Sequence, residues 1–324
     1  VNQHDTMRRH RTVQGRAQRL LLGLTATAAM VLGIAGMGTA TAAADTVIGT
    51  ITVGAAPLGV AITPDGSRAY VTNNVGNSVS VIDTANNTVV GAPIPVGTNP
   101  IGVAITPNGT RAYVTNFGGG TVSVIDTGTN MVTATVPVGT NPFGVAITPN
   151  GTRAYVTNAT DGTVSVIDTG TDMVVGGPIL VGNGPQGVAV TPDGSRAYVA
   201  NRDGTGTVSV IDTGTDMVVG GPIVVGPDPE GVAITPDGSR AYVTNATDGT
   251  VSVIDTGTDT GIETVPVGTF PFGVPIAPDG SRAYVTNNGD NTVSVIAIGK
   301  CTGSLCFDFG SGTGSGSGWG SVFS

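Results

Sequence analysis

The pentapeptide Ala-Tyr-Val-(Thr/Ala)-Asn occurs six times, with its tyrosine at Tyr70, Tyr113, Tyr155, Tyr198, Tyr242 and Tyr284, at intervals of 43, 42, 43, 44 and 42 residues. A unit of that length cannot bury both faces of its own sheet, so successive units must stack on one another. Each unit contains four strand-like runs, and a period near forty with four strands predicts an all-β chain of the β-propeller type.

The third unit shows the construction. Phe143-Gly144-Val145-Ala146-Ile147 and Arg153-Ala154-Tyr155-Val156-Thr157-Asn158 read as two strands joined by Thr148-Pro149-Asn150-Gly151-Thr152. Pro149 pre-sets its own φ, and an Asn-Gly pair tolerates the positive φ that a tight turn needs. Thr163-Val-Ser-Val-Ile167-Asp168 follows, rich in β-branched residues that suit a packed sheet. Met173 to Gly182 is the outermost strand, where Pro178 fits because an edge need not donate every N–H. The runs Val-Ala-Ile and Val-Ser-Val-Ile are apolar at nearly every position, which predicts sheets covered on both faces.

Runs of the fourth-strand type occur at 46–54, 88–97, 131–139, 173–182, 217–226 and 261–268. The chain therefore opens with a lone fourth strand and closes, at Ile296, with strands one to three. Six four-stranded blades are expected, with Thr46 to Gly54 completing the last one and leaving no open sheet edge.

The recurring Gly-Val-Ala-Ile-Thr-Pro-Asp-Gly, Arg-Ala-Tyr-Val-Thr-Asn and Thr-Val-Ser-Val-Ile-Asp-Thr segments resemble the YVTN family of bacterial β-propeller repeat proteins over residues 46–297. That resemblance implies an exported or cell-surface protein, usually of seven blades, against the six copies present here. Similar propellers also host lactonases, lyases and quinoprotein enzymes, so the fold alone does not license a reaction.

Destination is written before the repeats. Arg8, Arg9, Arg11, Arg16 and Arg19 precede an uncharged stretch from Leu20 to Ala44 that ends in Ala42-Ala43-Ala44, the order of a secretory signal peptide. Residues 1–44 are expected to be removed, leaving a β-propeller over 45–299 and a Gly/Ser-rich flexible tail over 300–324. The expected location is secreted or cell-envelope, with no membrane insertion after cleavage. The remaining chain keeps 8 basic and 21 acidic residues, a formal charge of −13. Such a surface repels nucleic acid and anionic lipid, and nucleic-acid binding is not expected.

Missing residues restrict the chemistry. The only histidines, His4 and His10, lie in the export segment, which excludes histidine catalysis and histidine metal ligation from the processed protein. Cys301 and Cys306 are expected to form a local disulfide, since two sulfurs without histidine are too few for a structural zinc. No cofactor is expected. Loop carboxylates at Asp161, Asp248 and Asp290 are candidates for calcium, without the dense alternation of a dedicated calcium loop. Arg68, Arg111, Arg153, Arg196, Arg240 and Arg282 follow the turn in every unit, which assigns them a structural part beside the turn or an acidic neighbour.

Function is sought where the repeat breaks. The residue before the first-strand glycine reads Leu58, Ile101, Phe143, Gln186, Glu230 and Phe272 around the ring. This predicts an apolar arc, Phe272, Leu58, Ile101 and Phe143, facing a polar one at the channel mouth, with Phe117, Phe270, Arg202, Asp203 and Asp228 on nearby loops. These side chains either plug the channel or bind a ligand. The leading expectation is an interaction scaffold for a protein, glycan or cell-wall ligand, through Phe117, Phe143, Gln186, Asp228, Glu230, Phe270 and Phe272. The alternative is a lactonase-like metal-dependent hydrolase or lyase, with Glu230 and Asp228 or Asp203 around a divalent ion. Only two glutamates, Glu230 and Glu263, follow residue 44, so convergent metal ligands are scarce.

Overall fold

A computed structural model describes residues 49–202 and 204–299. The expected signal peptide, Asp203, the Cys301/Cys306 pair and the 300–324 tail lie outside the described residues, as does the start of the Thr46 to Gly54 strand.

The third repeat forms a four-stranded antiparallel sheet of Pro142–Ile147, Arg153–Asn158, Thr163–Asp168 and Met173–Leu180. The second, fourth and fifth repeats are built the same way. In the first repeat the outer strand is split into Thr88–Val89 and Ile94–Pro95, both paired to Ser78–Asp83. The turn chemistry is as the composition predicts: Gly151 takes φ 72 and Asn150 Oδ1 accepts the Thr152 N–H at 3.0 Å.

The sixth repeat differs. It holds only Arg282–Asn287 and Thr292–Ala297, with strand one reduced to the isolated bridges Pro271/Asn287 and Ile276/Ala283. Pro275 stands where the other five repeats carry an alanine paired with the tyrosine of strand two, as Ala146 pairs with Tyr155; it has no N–H to give to the ladder. The Tyr284 N–H still reaches the Pro275 carbonyl at 2.9 Å. Among the described residues no fourth strand lies beside Thr292–Ala297, and residues 49–54 form no strand. Closure of a six-bladed ring by the N-terminal segment, expected from the complementary ends, is therefore not found. Hydropathic pattern marks which segments can be strands, but pairing across the ends depends on how far apart five successive stacking contacts leave them.

Sheet stacks on sheet through one repeated contact. Tyr113, Val122, Val124 and Val136 of the second repeat pack against Ala154, Val156 and Ile167 of the third. The tyrosine hydroxyl crosses to the following sheet: Tyr113 donates to Asp172 at 2.6 Å and Tyr155 to Asp216 at 2.7 Å. The repeated arginines cross beside them, with Arg111 to Asp172 at 3.1 Å, Arg153 to Asp216 at 2.7 Å and Arg196 to Asp259 at 2.7 Å. Their structural assignment holds at these positions. Each acceptor aspartate has positive φ, between 53° and 55°, a conformation that Asp tolerates in a turn. A threonine in strand two adds a third link near the channel, as Thr115 Oγ donates to the Phe143 carbonyl at 2.7 Å.

Acid should weaken these turns. Hydrogen bonds from Thr63 and Ser67 hold the Asp65 carboxyl down to about 2, and Thr129, Thr171, Thr215 and Thr258 depress Asp126, Asp168, Asp212 and Asp255 in the same way. A carboxylate with a lowered folded pKa contributes stability above its unfolded value and loses it as pH falls through the folded one. The melting temperature is expected to fall as pH drops from about 4 toward 2. A flat melting temperature across that window would show that the turn carboxylates do not couple to folding.

Candidate functional site

The first strands of five repeats and the matching Phe272–Pro275 segment of the sixth border one cavity of about 350 Å³, whose wall includes Leu58, Ile101, Phe143, Glu230 and Phe272. Strand one can approach this closely because of its glycine. A Cβ on Gly144 would lie 2.5 Å from the Gln186 carbonyl oxygen of the next repeat, and one on Gly187 would lie 2.6 Å from that of Glu230. The residue preceding the glycine therefore lines the cavity in five repeats, while in the fourth Gln186 is buried and only Gly187 and Val188 reach the wall.

Aromatic groups gather on one side. Phe117, in a short 3-10 turn over Phe117–Gly119, meets Phe143 edge to face with ring centroids 6.4 Å apart. Phe143 in turn meets Phe272 at 6.3 Å. The expected order of an arc running Phe272, Leu58, Ile101, Phe143 is thus short-circuited: Phe272 contacts Phe143 directly, while Leu58 stays exposed. Phe270 is 61% exposed and takes φ 50, where the other repeats place Ala56, Asn99, Asn141, Gly184 and Asp228. Asn, Asp and Gly enter that region readily, whereas a bulky aromatic there is strained.

The polar residues form a second group that is mostly buried. Gln186 and Glu230 are each 7% exposed. Arg202 bridges the two carboxylates, donating from Nη1 to Glu230 Oε1 at 3.1 Å and from Nε to Asp228 Oδ1 at 3.3 Å. Burial pushes the Glu230 carboxyl up, opposed by the Arg202 charge and reinforced by Asp228. Asp228 is held down, chiefly by the hydroxyl of Thr247 and then by Arg202. Gln186 bonds weakly within its own loop, to the Gly184 carbonyl at 3.4 Å.

Thr247 and Ala200 were not singled out by sequence. Thr247 sits in an Asn-Ala-Thr segment that reads as ordinary turn chemistry. Ala200 did carry a signal, because it replaces the threonine that in the first, second, third and fifth repeats bonds to the next first-strand carbonyl. With no hydroxyl at Ala200, the side-chain bridge from Arg202 to Glu230 joins the fourth and fifth sheets near the cavity instead.

Chemically, the arrangement offers an aromatic wall beside a buried carboxylate whose charge is already matched by a guanidinium. Among the described residues no three acidic, histidine or cysteine side chains converge as a metal-binding group. Asp161 and Asp290 instead accept backbone N–H groups, from Thr140 and Thr269, both at 2.6 Å. Among the described residues no helix is long and apolar enough to cross a membrane.

No family model matches the chain, and no curated protein matches it. Solved structures do resemble it. A functionally unknown protein from Desulfotomaculum acetoxidans aligns with TM-score 0.66 and 22% identity, covering 76% of this chain and 84% of that one. Hydrazine synthase from Kuenenia stuttgartiensis aligns with TM-score 0.57 and 23% identity, covering 78% and 99%. These likenesses support a propeller-like arrangement of antiparallel sheets and extend to fold alone.

Proposed function

We propose that the protein is an exported propeller of the YVTN type that acts as a binding scaffold through the rim of its cavity, and that its partner is a protein, glycan or cell-wall polymer with an apolar feature. The observation that supports this reading most directly is Phe270. A strained, exposed aromatic residue persists where the other repeats carry small or polar residues, and it stands two positions from Phe272 in the aromatic wall. Strain of this kind, about 1–3 kcal/mol, is stored where function uses it. The signal-like order of residues 1–44 supports export, and the acidic balance of the rest disfavours a nucleic-acid partner.

Arg202 weighs against the hydrolase alternative, because it already fills the space between Glu230 and Asp228 with a positive charge. A catalytic ion would have to displace it. Glu230 is then a positioning group for Arg202 at the junction of the fourth and fifth sheets.

Opposite effects on stability and binding test the proposal. Replacing Phe270 by asparagine should raise stability by about 1 kcal/mol, by relieving the backbone, while weakening the partner. Phe272→Ala should weaken binding by about 1–3 kcal/mol, as loss of an aromatic anchor does, and Glu230→Gln should matter less. Binding of isolated envelope polymers and proteins, run beside a lactone-hydrolysis assay and metal analysis, reads all three variants. Turnover abolished by Glu230→Gln, with a stoichiometric ion in the wild type, would reverse the assignment to the enzyme.

A further inference from the structure

One contact in the series that joins sheet to sheet lacks its acid. In the second, third and fourth repeats the arginine after the first turn and the tyrosine of strand two share a single aspartate of the next sheet. The third repeat shows how the carboxylate is divided: Tyr155 donates to Asp216 Oδ1 at 2.7 Å, and Arg153 Nη1 to Asp216 Oδ2 at 2.7 Å. For the first repeat the residue in the aspartate's place is Asn130. The turn is unchanged by the replacement, since Asn130 and Asp216 both take φ 55 and both N–H groups reach a carbonyl at 2.8 Å, of Asp126 and Asp212. The tyrosine bond survives as well, from Tyr70 to Asn130 Oδ1 at 2.8 Å.

What the amide cannot supply is a second acceptor. With Oδ1 on Tyr70, the atom that corresponds to Asp216 Oδ2 is Nδ2, a donor. The Arg68 guanidinium is left with one hydrogen bond, from Nη1 to the Thr127 carbonyl at 2.7 Å, and with no carboxylate partner among the described residues. Asn130 Nδ2 has no acceptor among them either. Arginine and amide are both donors, and neither has the oxygen that joins the pair in the next three repeats.

Arg68 also borders a cavity of about 390 Å³ between the first two sheets, whose wall includes Thr63, Asp65, Ser67, Asn108 and Thr127 and in which Arg68 is the one basic group. Asn108 spends its Oδ1 on Thr106 and on the N–H and hydroxyl of Thr110, which leaves its Nδ2 without an acceptor among the described residues. Two acids stand near the arginine: Asp65, whose carboxyl is held down to about 2, and Asp83, its cross-strand neighbour. They do not bar a carboxylate. In the fourth repeat Asp193 holds the turn and Asp212 the cross-strand position, and Arg196 still binds Asp259 at 2.7 Å. The fold therefore accommodates a carboxylate at this place beside the same two acids.

We propose that the cavity beside Arg68 binds a small organic acid, whose carboxylate takes the part of the missing aspartate between Arg68 and Asn130. Arginine suits this ligand because its planar fork matches the carboxylate oxygens. The cavity volume falls within the range of small-molecule sites, about 300–1,000 Å³. The unused amide of Asn108 favours a hydroxylated body over an alkyl one. This site is separate from the aromatic rim and lies at the other end of the strands, since strand one pairs Ile62 with Ala69 beside the turn and Pro57 with Asn73 toward the rim.

Sodium acetate and sodium glucuronate are the probes, each titrated into the full-length protein against sodium chloride of equal ionic strength. The arginine Nε–H resonance that Arg68→Gln removes should shift to saturation, and the melting temperature should rise with acid concentration. Asn130→Asp installs the carboxylate within the chain. It should raise the melting temperature of the free protein by about 1–3 °C, as a partly exposed ion pair does, and lower the affinity for both acids at least about tenfold. Arg68→Gln should lower affinity as much without the gain in melting temperature. The proposal is overturned if neither acid gives a saturable shift, if sodium chloride alone reproduces it, or if binding survives either substitution. Binding of a blocked Ala-Asp-Ala tripeptide without binding of acetate or glucuronate overturns it too, and assigns the site to an acidic side chain of a protein partner.

Discussion

Truncating Tyr155 to alanine should cost about 3–5 kcal/mol of folding stability, the range for emptying a fully buried aromatic site. Its ring is completely buried between the third and fourth sheets, with Val164, Val166, Val188, Ala197, Val199 and Ile211 around it. Its hydroxyl donates to Asp216, which also receives Arg153. The phenylalanine variant separates the two contributions. Tyr155→Phe keeps the ring and leaves Asp216 paired to Arg153, so its loss should be about 1–2 kcal/mol. The partly exposed ion pair contributes less than the ring, because solvent screens it. Equilibrium denaturation of both variants decides this: equal losses would mean that the hydroxyl, and not the packed ring, joins the sheets.

A single methyl group should do comparable damage at Gly144. The added Cβ would lie 2.5 Å from the Gln186 carbonyl oxygen, a backbone atom fixed by its own sheet, so the third and fourth sheets must separate locally. A loss of about 3–5 kcal/mol is expected, at the upper end for point substitutions. The same change at Gly273, whose Cβ would meet only the Thr286 hydroxyl at 3.4 Å, should stay within about 1 kcal/mol. The contrast tests the open end directly. If Gly273→Ala is as damaging as Gly144→Ala, a sheet covers the last repeat in solution, and hydrogen exchange at Thr292 to Ala297 should then be slow.

Much of the candidate rim was legible from the repeat alone. A position that varies while its neighbours stay fixed is visible by aligning the chain with itself; three of the positions so marked, Phe143, Glu230 and Phe272, line the cavity, whereas Gln186 is buried beside it and does not. What a register cannot give is distance. The Phe143 to Phe272 contact and the burial of Gln186 and Glu230 depend on how steeply each first strand leans toward the axis, which is set by packing several residues away. The partnership of Arg202 with both carboxylates likewise needed the structure, because its loop in the fourth repeat is one residue longer and follows no repeat rule.

Sequence by itself determined the local architecture. Period, β-branched runs, turn residues and glycines act within a repeat or on the one beside it, so they specify each sheet, its register and the contact it makes forward. Even the weak first strand of the last repeat is written in Pro275. Only the tertiary structure decided what happens at the two ends. Whether the first and last sheets meet depends on the small rotation at each contact, added over five contacts, and no residue encodes that sum. The outcome, two complementary faces left uncovered around one cavity, is a property of accumulated geometry rather than of any local pattern.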